Sequence, residues 1–224
     1  MPRTKKDREA GLLGKTSETY VKDWLKGQPQ YFNRKRQIQS KYTYKGNKVE
    51  DDSIEFIADF LGYPFLFKNE QWYENEYIHG TPDVIPSDCV IDAKNSWDYH
   101  TFPYFETEIP DKDYWWQGQG YMWLTGRTKY KLVYTLMNMP PEQIYDEAKK
   151  ECYANHLDLD LHMDEVYEEK EKEYTYDDLP DHRRIKIFEF DRDDSAIELI
   201  KDRVEASRRF IDTLITNHKT TIKK

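Results

Sequence analysis

The sequence predicts an α/β fold in which a central mixed β-sheet is flanked by helices, in a single domain over residues 1–224. Two observations support this fold class. Apolar residues recur with helical spacing in some segments, whereas other segments are short β-branched or aromatic runs typical of strands. The two kinds of segment alternate along the chain, and helices packed on a central sheet are the simplest arrangement that buries both.

The amino-terminal half is predicted to contain two helices followed by two strands. Val21, Trp24 and Leu25 lie at i, i+3 and i+4, which indicates one face of a helix. A second apolar stripe stops near Gly62 and Pro64, which disfavour further helix. Two apolar or aromatic runs separated by a short turn-forming segment then predict a strand, a tight turn and a second strand. These predicted elements are helices over 16–25 and about 48–61, and strands over 72–85 and 89–93.

The carboxyl-terminal half is predicted to alternate helices and strands. An aromatic and proline-rich loop over 97–112 ends at Asp111 and Asp113, which are favourable helix starts. An acidic insertion over about 142–180 is densest between 158 and 178, and we expect this part to be a solvated helix or a flexible segment. The predicted elements are helices over 114–124 and 141–153, strands over 129–137 and 185–190, and a long closing helix.

Charge is distributed unevenly along the chain. The net charge is −9, which by itself disfavours contact with nucleic acid phosphates. Residues 1–48, however, carry thirteen basic and four acidic side chains, so this basic segment is at +9 and the remainder at −18. Such asymmetry indicates either a surface that faces nucleic acid or a solvated basic tail.

The composition argues against several other classes of protein. No stretch approaches the roughly 18 apolar residues of a membrane span, and the amino terminus lacks an apolar signal region, so we expect a cytoplasmic protein with no membrane association. The two cysteines, Cys89 and Cys152, have neither metal-ligand nor disulfide-framework spacing. No phosphate-cradling glycine loop is present in the sequence, which disfavours an ATP-driven enzyme.

Two short motifs carry the candidate chemistry. Asp83 follows Pro82, and Asp92 and Lys94 are two residues apart on the next predicted strand, where alternate side chains share a face. A hairpin would bring Asp83 beside Asp92, and two carboxylates form a natural oxygen cage for magnesium. Lys94 would orient or deprotonate the attacking water. The alternative is an aspartate that caps a turn beside an exposed salt bridge, but Asp92 follows an apolar run that predicts burial.

Glu50 is the third candidate carboxylate. It lies on the same helical stripe as Ile54, Ile57 and Leu61, so its side chain is predicted to face inward with them. An acid on an apolar face needs a partner, which predicts a metal ligand. The alternative is an acid that the helix dipole favours at the amino terminus of a helix.

These residues resemble the PD-(D/E)xK nucleases, in particular the phage recombination exonuclease branch with lambda exonuclease, YqaJ-like proteins and the RecB nuclease domain. A helix glutamate, the aspartate of a P-D pair and a D/E-x-K triplet form the metal site there, matching Glu50, Asp83, Asp92 and Lys94 in order. The resemblance implies a restriction-endonuclease-like core, and it adds the backbone carbonyl of Ala93 as a metal ligand.

That branch also carries a Q-x-x-x-Y motif on the helix after the core strands, and Gln117 and Tyr121 fit it. The two side chains are one helical turn apart, so together they could reach a DNA phosphate or hold Lys94 in place. The intervening Gly118 and Gly120 each weaken the helix by about 1 kcal/mol, which predicts a close backbone approach to DNA or to the sheet. The alternative is a core helix with Tyr121 packed inward.

The resemblance implies a magnesium-dependent deoxyribonuclease (Mg²⁺, with Mn²⁺ as the alternative ion) that acts as an exonuclease in phage-type DNA recombination or repair. It further implies a bacterial or phage-infected cell, DNA as substrate, a single-strand annealing protein as partner and a homo-oligomer. Two alternatives remain: a structure-specific or restriction-type endonuclease, and a non-catalytic DNA-binding protein with the same fold.

Overall fold

The computed structural model describes residues 12–34 and 40–222. The chain divides into two compact units, one formed by residues 1–38 with 193–224 and the other by residues 39–192. Parts of the predicted basic segment, residues 1–11 and 35–39, lie outside the described residues. In chain order the elements are α1 (Lys15–Gly27), α2 (Lys41–Lys48), α3 (Glu50–Leu61), β1 (Tyr73–Glu74), β2 (His79–Gly80), β3 (Val90–Asn95), α4 (Lys112–Thr125), β4 (Lys129–Thr135), α5 (Pro141–Ala154), α6 (Leu159–Tyr174), β5 (Ile185–Asp191) and α7 (Asp194–Ile222).

A three-stranded mixed sheet lies at the centre of the larger unit. Its strand order is β3-β4-β5, with β3 parallel to β4 and β5 antiparallel to β4. The central mixed sheet predicted from the sequence is therefore confirmed. The parallel pair is joined through α4, as a parallel connection requires a crossover.

Helices cover both faces of this sheet. On one face, Ile54 and Ile57 of α3 pack with Ile91 and Val133. On the other face, Met122 of α4 packs with residues of all three strands, namely Val90, Tyr130, Leu132 and Phe188. Successive residues of β3 therefore contribute to opposite layers, as the pleat of a strand requires.

The single strand predicted over 72–85 is wrong. Two short antiparallel strands, β1 and β2, form there instead. The side chain of Asn75 accepts hydrogen bonds from the backbone N–H groups of Tyr77 (2.9 Å) and Ile78 (3.0 Å). This local turn replaces continued extended backbone, which is the usual effect of asparagine in turns.

The acidic insertion forms a helical hairpin of α5 and α6. Ala148 and Cys152 of α5 and Val166 of α6 are buried together between the two helices. Most of the acidic segment 158–178 thus lies on α6, which agrees with the helical alternative.

The smaller unit packs α1 against α7. Val21 of α1 and Ala206 of α7 are buried together with Leu13. Neither of these helices, nor any other helix among residues 12–34 and 40–222, is both long and apolar enough to cross a membrane.

Candidate active site

A short antiparallel bridge aligns the two aspartates. Val84 and Ile91 exchange backbone hydrogen bonds of 3.1 and 2.9 Å, so Asp83 and Asp92 are opposite each other. The Asp83 carboxylate also accepts a hydrogen bond from the backbone N–H of Ala93 at 2.9 Å. The hairpin arrangement inferred from the sequence is thus the one that the chain adopts.

Asp92 and Lys94 form a pair on one face of β3. The Lys94 Nζ lies 2.6 Å from Asp92 Oδ2, and the Asp92 side chain has no exposed surface. The same ammonium lies 5.1 Å from the centre of the Tyr114 ring on α4, within range of a cation–π interaction. The aspartate is therefore buried beside a single cation, and the exposed salt bridge that the sequence left as an alternative is not observed.

The electrostatics of this cluster favour added positive charge. Burial and the neighbouring Asp92 raise the pKa of Asp83 to about 6. Burial of Lys94 acts to lower its pKa, but the charges of Asp92 and Asp83 outweigh burial and the pKa is raised overall. Lys94 thus carries a proton at neutral pH, and one ammonium faces two carboxylates.

Asp92 also has acceptor capacity that the protein leaves unused. Both of its oxygens are fully buried; Oδ2 is in contact with the Lys94 ammonium, and Oδ1 accepts no hydrogen bond from the described residues. The hydroxyl of Tyr130 is likewise buried without a partner there, and burial with the charge of Asp92 raises its pKa well above the ordinary value. Buried carboxylate oxygens without donors are rare, and a divalent cation would satisfy them, so the donor set at Asp83 and Asp92 fits such an ion.

Glu50 is held differently. It begins α3, and its carboxylate is 2.6 Å from the Nζ of Lys68. Among residues 12–34 and 40–222, no three His, Cys, Asp or Glu side chains lie close enough to share a metal ion. Ile54 and Ile57, which share a helical stripe with Glu50, are buried as predicted. The roles of Glu50 and of the Ala93 carbonyl as metal ligands stay predictions.

A buried hydrogen-bond chain fixes α3 against the strand that carries Lys94. The Ser53 hydroxyl on α3 lies 2.9 Å from the Thr135 hydroxyl at the end of β4. Thr135 in turn donates to the side chain of Asn95, the residue after Lys94, at 2.7 Å. This chain keeps the amino terminus of α3, and with it Glu50, in register with the end of β3.

Gln117 and Tyr121 share one face of α4, as predicted. The Gln117 amide donates to the Tyr121 hydroxyl at 3.1 Å. The Tyr121 ring packs so closely on Gly80 that a Cβ there would lie 2.7 Å from its Cε1 atom. Tyr121 is therefore half-buried against the segment that leads into Pro82-Asp83, and DNA contact by the pair stays a prediction.

The glycines of α4 have a packing explanation. A Cβ at Gly118 would lie 2.6 Å from Cζ of Phe190 and 3.0 Å from Cδ1 of Tyr130. At Gly120 it would lie 3.3 Å from a methyl carbon of Ile78. The helix thus approaches the sheet closely at Gly118, which is one of the two reasons expected from the sequence.

Two lysines near the site escaped the sequence analysis. Lys68 contacts Glu50, although no motif marks it. Lys45 on α2 is 1% exposed and donates to the backbone carbonyls of Ser96 and Trp97, both at 2.8 Å, just after β3. Ser40 was an available signal for the start of α2, because its side chain accepts a hydrogen bond from the Thr43 N–H. No signal was available for the partners of Lys45, which are distant in sequence.

The mixed sheet with helices on both faces defines an α/β protein, and comparison with solved structures shows that the fold is that of a nuclease. The chain is similar to a phage-related exonuclease from Haemophilus somnus, with 30% identity, a TM-score of 0.78, and coverage of 97% of this chain and 90% of that one. The chain therefore belongs to the family of phage-related exonucleases.

An alkaline exonuclease from Laribacter hongkongensis, LHK-Exo, has the same fold. It is 17% identical, covers 97% of this chain and 91% of its own, and gives TM-scores of 0.58 alone and 0.59 in complex with dAMP. No family model and no curated protein matches the chain.

Proposed function

We propose that this chain is a magnesium-dependent DNA exonuclease of the PD-(D/E)xK type. The observation that carries the proposal is the fully buried Asp92 carboxylate, which lies opposite Asp83 and is paired with the single ammonium of Lys94. A charge arrangement of this kind suits phosphodiester hydrolysis, in which negative charge builds on phosphate oxygens. The printed description of the 30% identical relative as an exonuclease supports the same activity.

Asp83 and Asp92 would hold the ion, with Glu50 and the Ala93 carbonyl as further ligands. When bound, Mg²⁺ or Mn²⁺ supplies Lewis-acid chemistry that lowers the pKa of water and offsets phosphate charge. The protonated Lys94 orients the attacking water by donating hydrogen bonds and stabilises the charge that develops on the phosphate.

Gln117 and Tyr121 would position the DNA strand beside this cluster. Both project from the face of α4 that also bears Tyr114, which contacts Lys94. The relative LHK-Exo has been solved with dAMP, which supports a nucleotide as ligand of this fold. A role in phage-type recombination, a single-strand annealing partner and a homo-oligomeric assembly accompany the proposal as expectations.

Digestion of end-labelled linear duplex beside covalently closed circular duplex tests the function. With Mg²⁺ we expect the linear DNA to be degraded from its ends and the circle to persist, and a chelator should stop the degradation of the linear DNA. Cleavage of the circle would favour the endonuclease alternative. Binding of linear DNA without hydrolysis in Mg²⁺ or Mn²⁺ would overturn the catalytic proposal in favour of a binding protein.

A further inference from the structure

Lys68 contacts Glu50, and the residue after it is hydrogen-bonded to the Pro82-Asp83 segment. Its Nζ is 2.6 Å from Glu50 Oε2, and the two side chains are 44% and 21% exposed. The next residue, Asn69, is tied to the Pro82-Asp83 motif, because its backbone N–H donates to the Asp83 carbonyl and its side chain donates to the Pro82 carbonyl at 2.9 Å. The backbone that carries Lys68 is thus fixed to the segment that carries Asp83.

The Lys68 ammonium pairs with the Glu50 carboxylate and also feels the charges of two further aspartates. The hydrogen bond to Glu50 and the charges of Glu50, Asp51 and Asp83 together outweigh burial and raise its pKa. Lys68 forms an ion pair with Glu50, and the described residues do not bring Glu50 into one group with Asp83 and Asp92.

We propose that Lys68 competes with metal for Glu50. Its ammonium holds the Glu50 carboxylate when no metal is bound, and a metal ion must displace the ammonium before it can bind there. The inference rests on the proposed function, since it assumes that Glu50 becomes a ligand. An ammonium in contact with Glu50 Oε2 repels a divalent ion that approaches the same oxygen, so this ion pair weakens metal binding until Lys68 moves away. Lys68 is therefore a positioning residue that sets the metal concentration at which the site fills.

Metal binding without DNA measures this competition directly. Free Mn²⁺ is followed by electron paramagnetic resonance for the wild type and for Lys68→Met, Lys68→Arg and Glu50→Gln. The matched control is Lys150→Met, which removes the same charge from an ion pair with Glu147 on α5. Circular dichroism verifies that each variant is folded.

We expect Lys68→Met to lower the Kd for Mn²⁺ by about two- to fivefold, the range that a partly exposed ion pair can contribute. Lys68→Arg should retain a Kd near the wild-type value, and Lys150→Met should not change it. In the Glu50→Gln background, Lys68→Met should lose most of its effect, because the carboxylate for which the two cations compete is gone.

The outcomes separate this inference from the function on which it rests. If the wild type binds Mn²⁺ and Lys68→Met binds with unchanged or weaker affinity, the inference is wrong and the proposed function stands. An effect of Lys68→Met that persists in Glu50→Gln would equally overturn it. If neither the wild type nor Lys68→Met binds Mn²⁺, both proposals fail.

Discussion

Asp92 and Lys94 form a charge pair in a place where charges are costly. A buried carboxylate with a single cationic neighbour is stable only while that neighbour remains. Apart from the contact with this lysine, the two oxygens accept no well-formed hydrogen bond from the described residues. Lys94 is therefore needed both for the proposed chemistry and to balance the aspartate when no metal is bound.

Replacing Lys94 tests its catalytic role. We expect Lys94→Ala to reduce Mg²⁺-dependent hydrolysis by about 10²- to 10⁴-fold, the usual contribution of a group that moves or holds a proton, while duplex binding is retained. The matched control is Lys131→Ala on the adjacent strand, because Lys131 is similarly shielded (19% against 23% exposed) but pairs with Glu189. Single-turnover digestion and gel-shift binding provide the two readouts. Near-full turnover by Lys94→Ala would contradict the assigned role.

Lys45 gives the protein a specific dependence of stability on pH. Burial lowers its pKa from 10.5 to about 8, although the charge of Asp98 opposes this change. Because the folded pKa lies below the unfolded one, the penalty for burying the charge is complete below about pH 8 and disappears as the pH rises towards 10.5. The contribution of Lys45 to the free energy of unfolding should thus increase by roughly 2 kcal/mol between about pH 7 and about pH 10.

The comparison with Lys45→Met isolates this effect from other titrating groups. Urea denaturation of both proteins at each pH gives the difference in the free energy of unfolding, which should move in favour of the wild type as the pH rises. A difference that is constant with pH would show that Lys45 titrates normally.

Proximity in the chain decided which site residues could be predicted. Asp83, Asp92 and Lys94 fall within twelve residues of one another, and strand alternation with one turn fixes their arrangement. Lys68 and Lys45 act on partners 18 and about 50 residues away, namely Glu50 and the carbonyls after β3. No local pattern encodes such contacts, because they depend on how the elements pack.

At the scale of elements, the packing of α4 on the sheet depends on the absence of a side chain at Gly118. A Cβ at Gly118 would overlap Phe190 and Tyr130, both in the core of the sheet. We expect Gly118→Ala to lower the free energy of unfolding by about 1 to 3 kcal/mol through overpacking, despite the higher helix propensity of alanine. Gly46→Ala on α2 is the control, since no heavy atom lies within 4 Å of its Cβ position and the substitution should stabilise the protein. Denaturant unfolding of both variants measures the contrast, and equal effects would contradict it.

Strands with an apolar run were predicted as closely as helices with an apolar stripe: those predicted over 89–93, 129–137 and 185–190 are observed at Val90–Asn95, Lys129–Thr135 and Ile185–Asp191. The helices over 114–124 and 141–153 were predicted within two residues of their observed ends. The strand over 72–85 was wrong because its aromatic composition favours extended backbone, whereas the Asn75 side chain stabilises a turn. The helix α2 was missed because its basic and aromatic residues gave no apolar stripe.

For the whole molecule, metal binding and stability should be linked. An ion that binds only the folded chain stabilises it, by about 2.7 kcal/mol at a hundredfold excess over Kd. We expect Mg²⁺ to raise the unfolding midpoint of the wild type and a chelator to reverse the increase. Asp92→Asn should lose most of the increase, because it removes a buried ligand charge. A Mg²⁺ response in Asp92→Asn equal to that of the wild type would place the ion elsewhere.

The alternation along β3 has a consequence for variation in this family. Ile91 faces the layer of α3, whereas Asp92 and Lys94 face the opposite layer with the charges. Residues that pack in the core and residues proposed for catalysis thus alternate along this part of β3. In a saturation library over positions 91–94, substitutions at 91 and 93 should mainly lower protein abundance, whereas those at 92 and 94 should mainly lower turnover in protein that still accumulates.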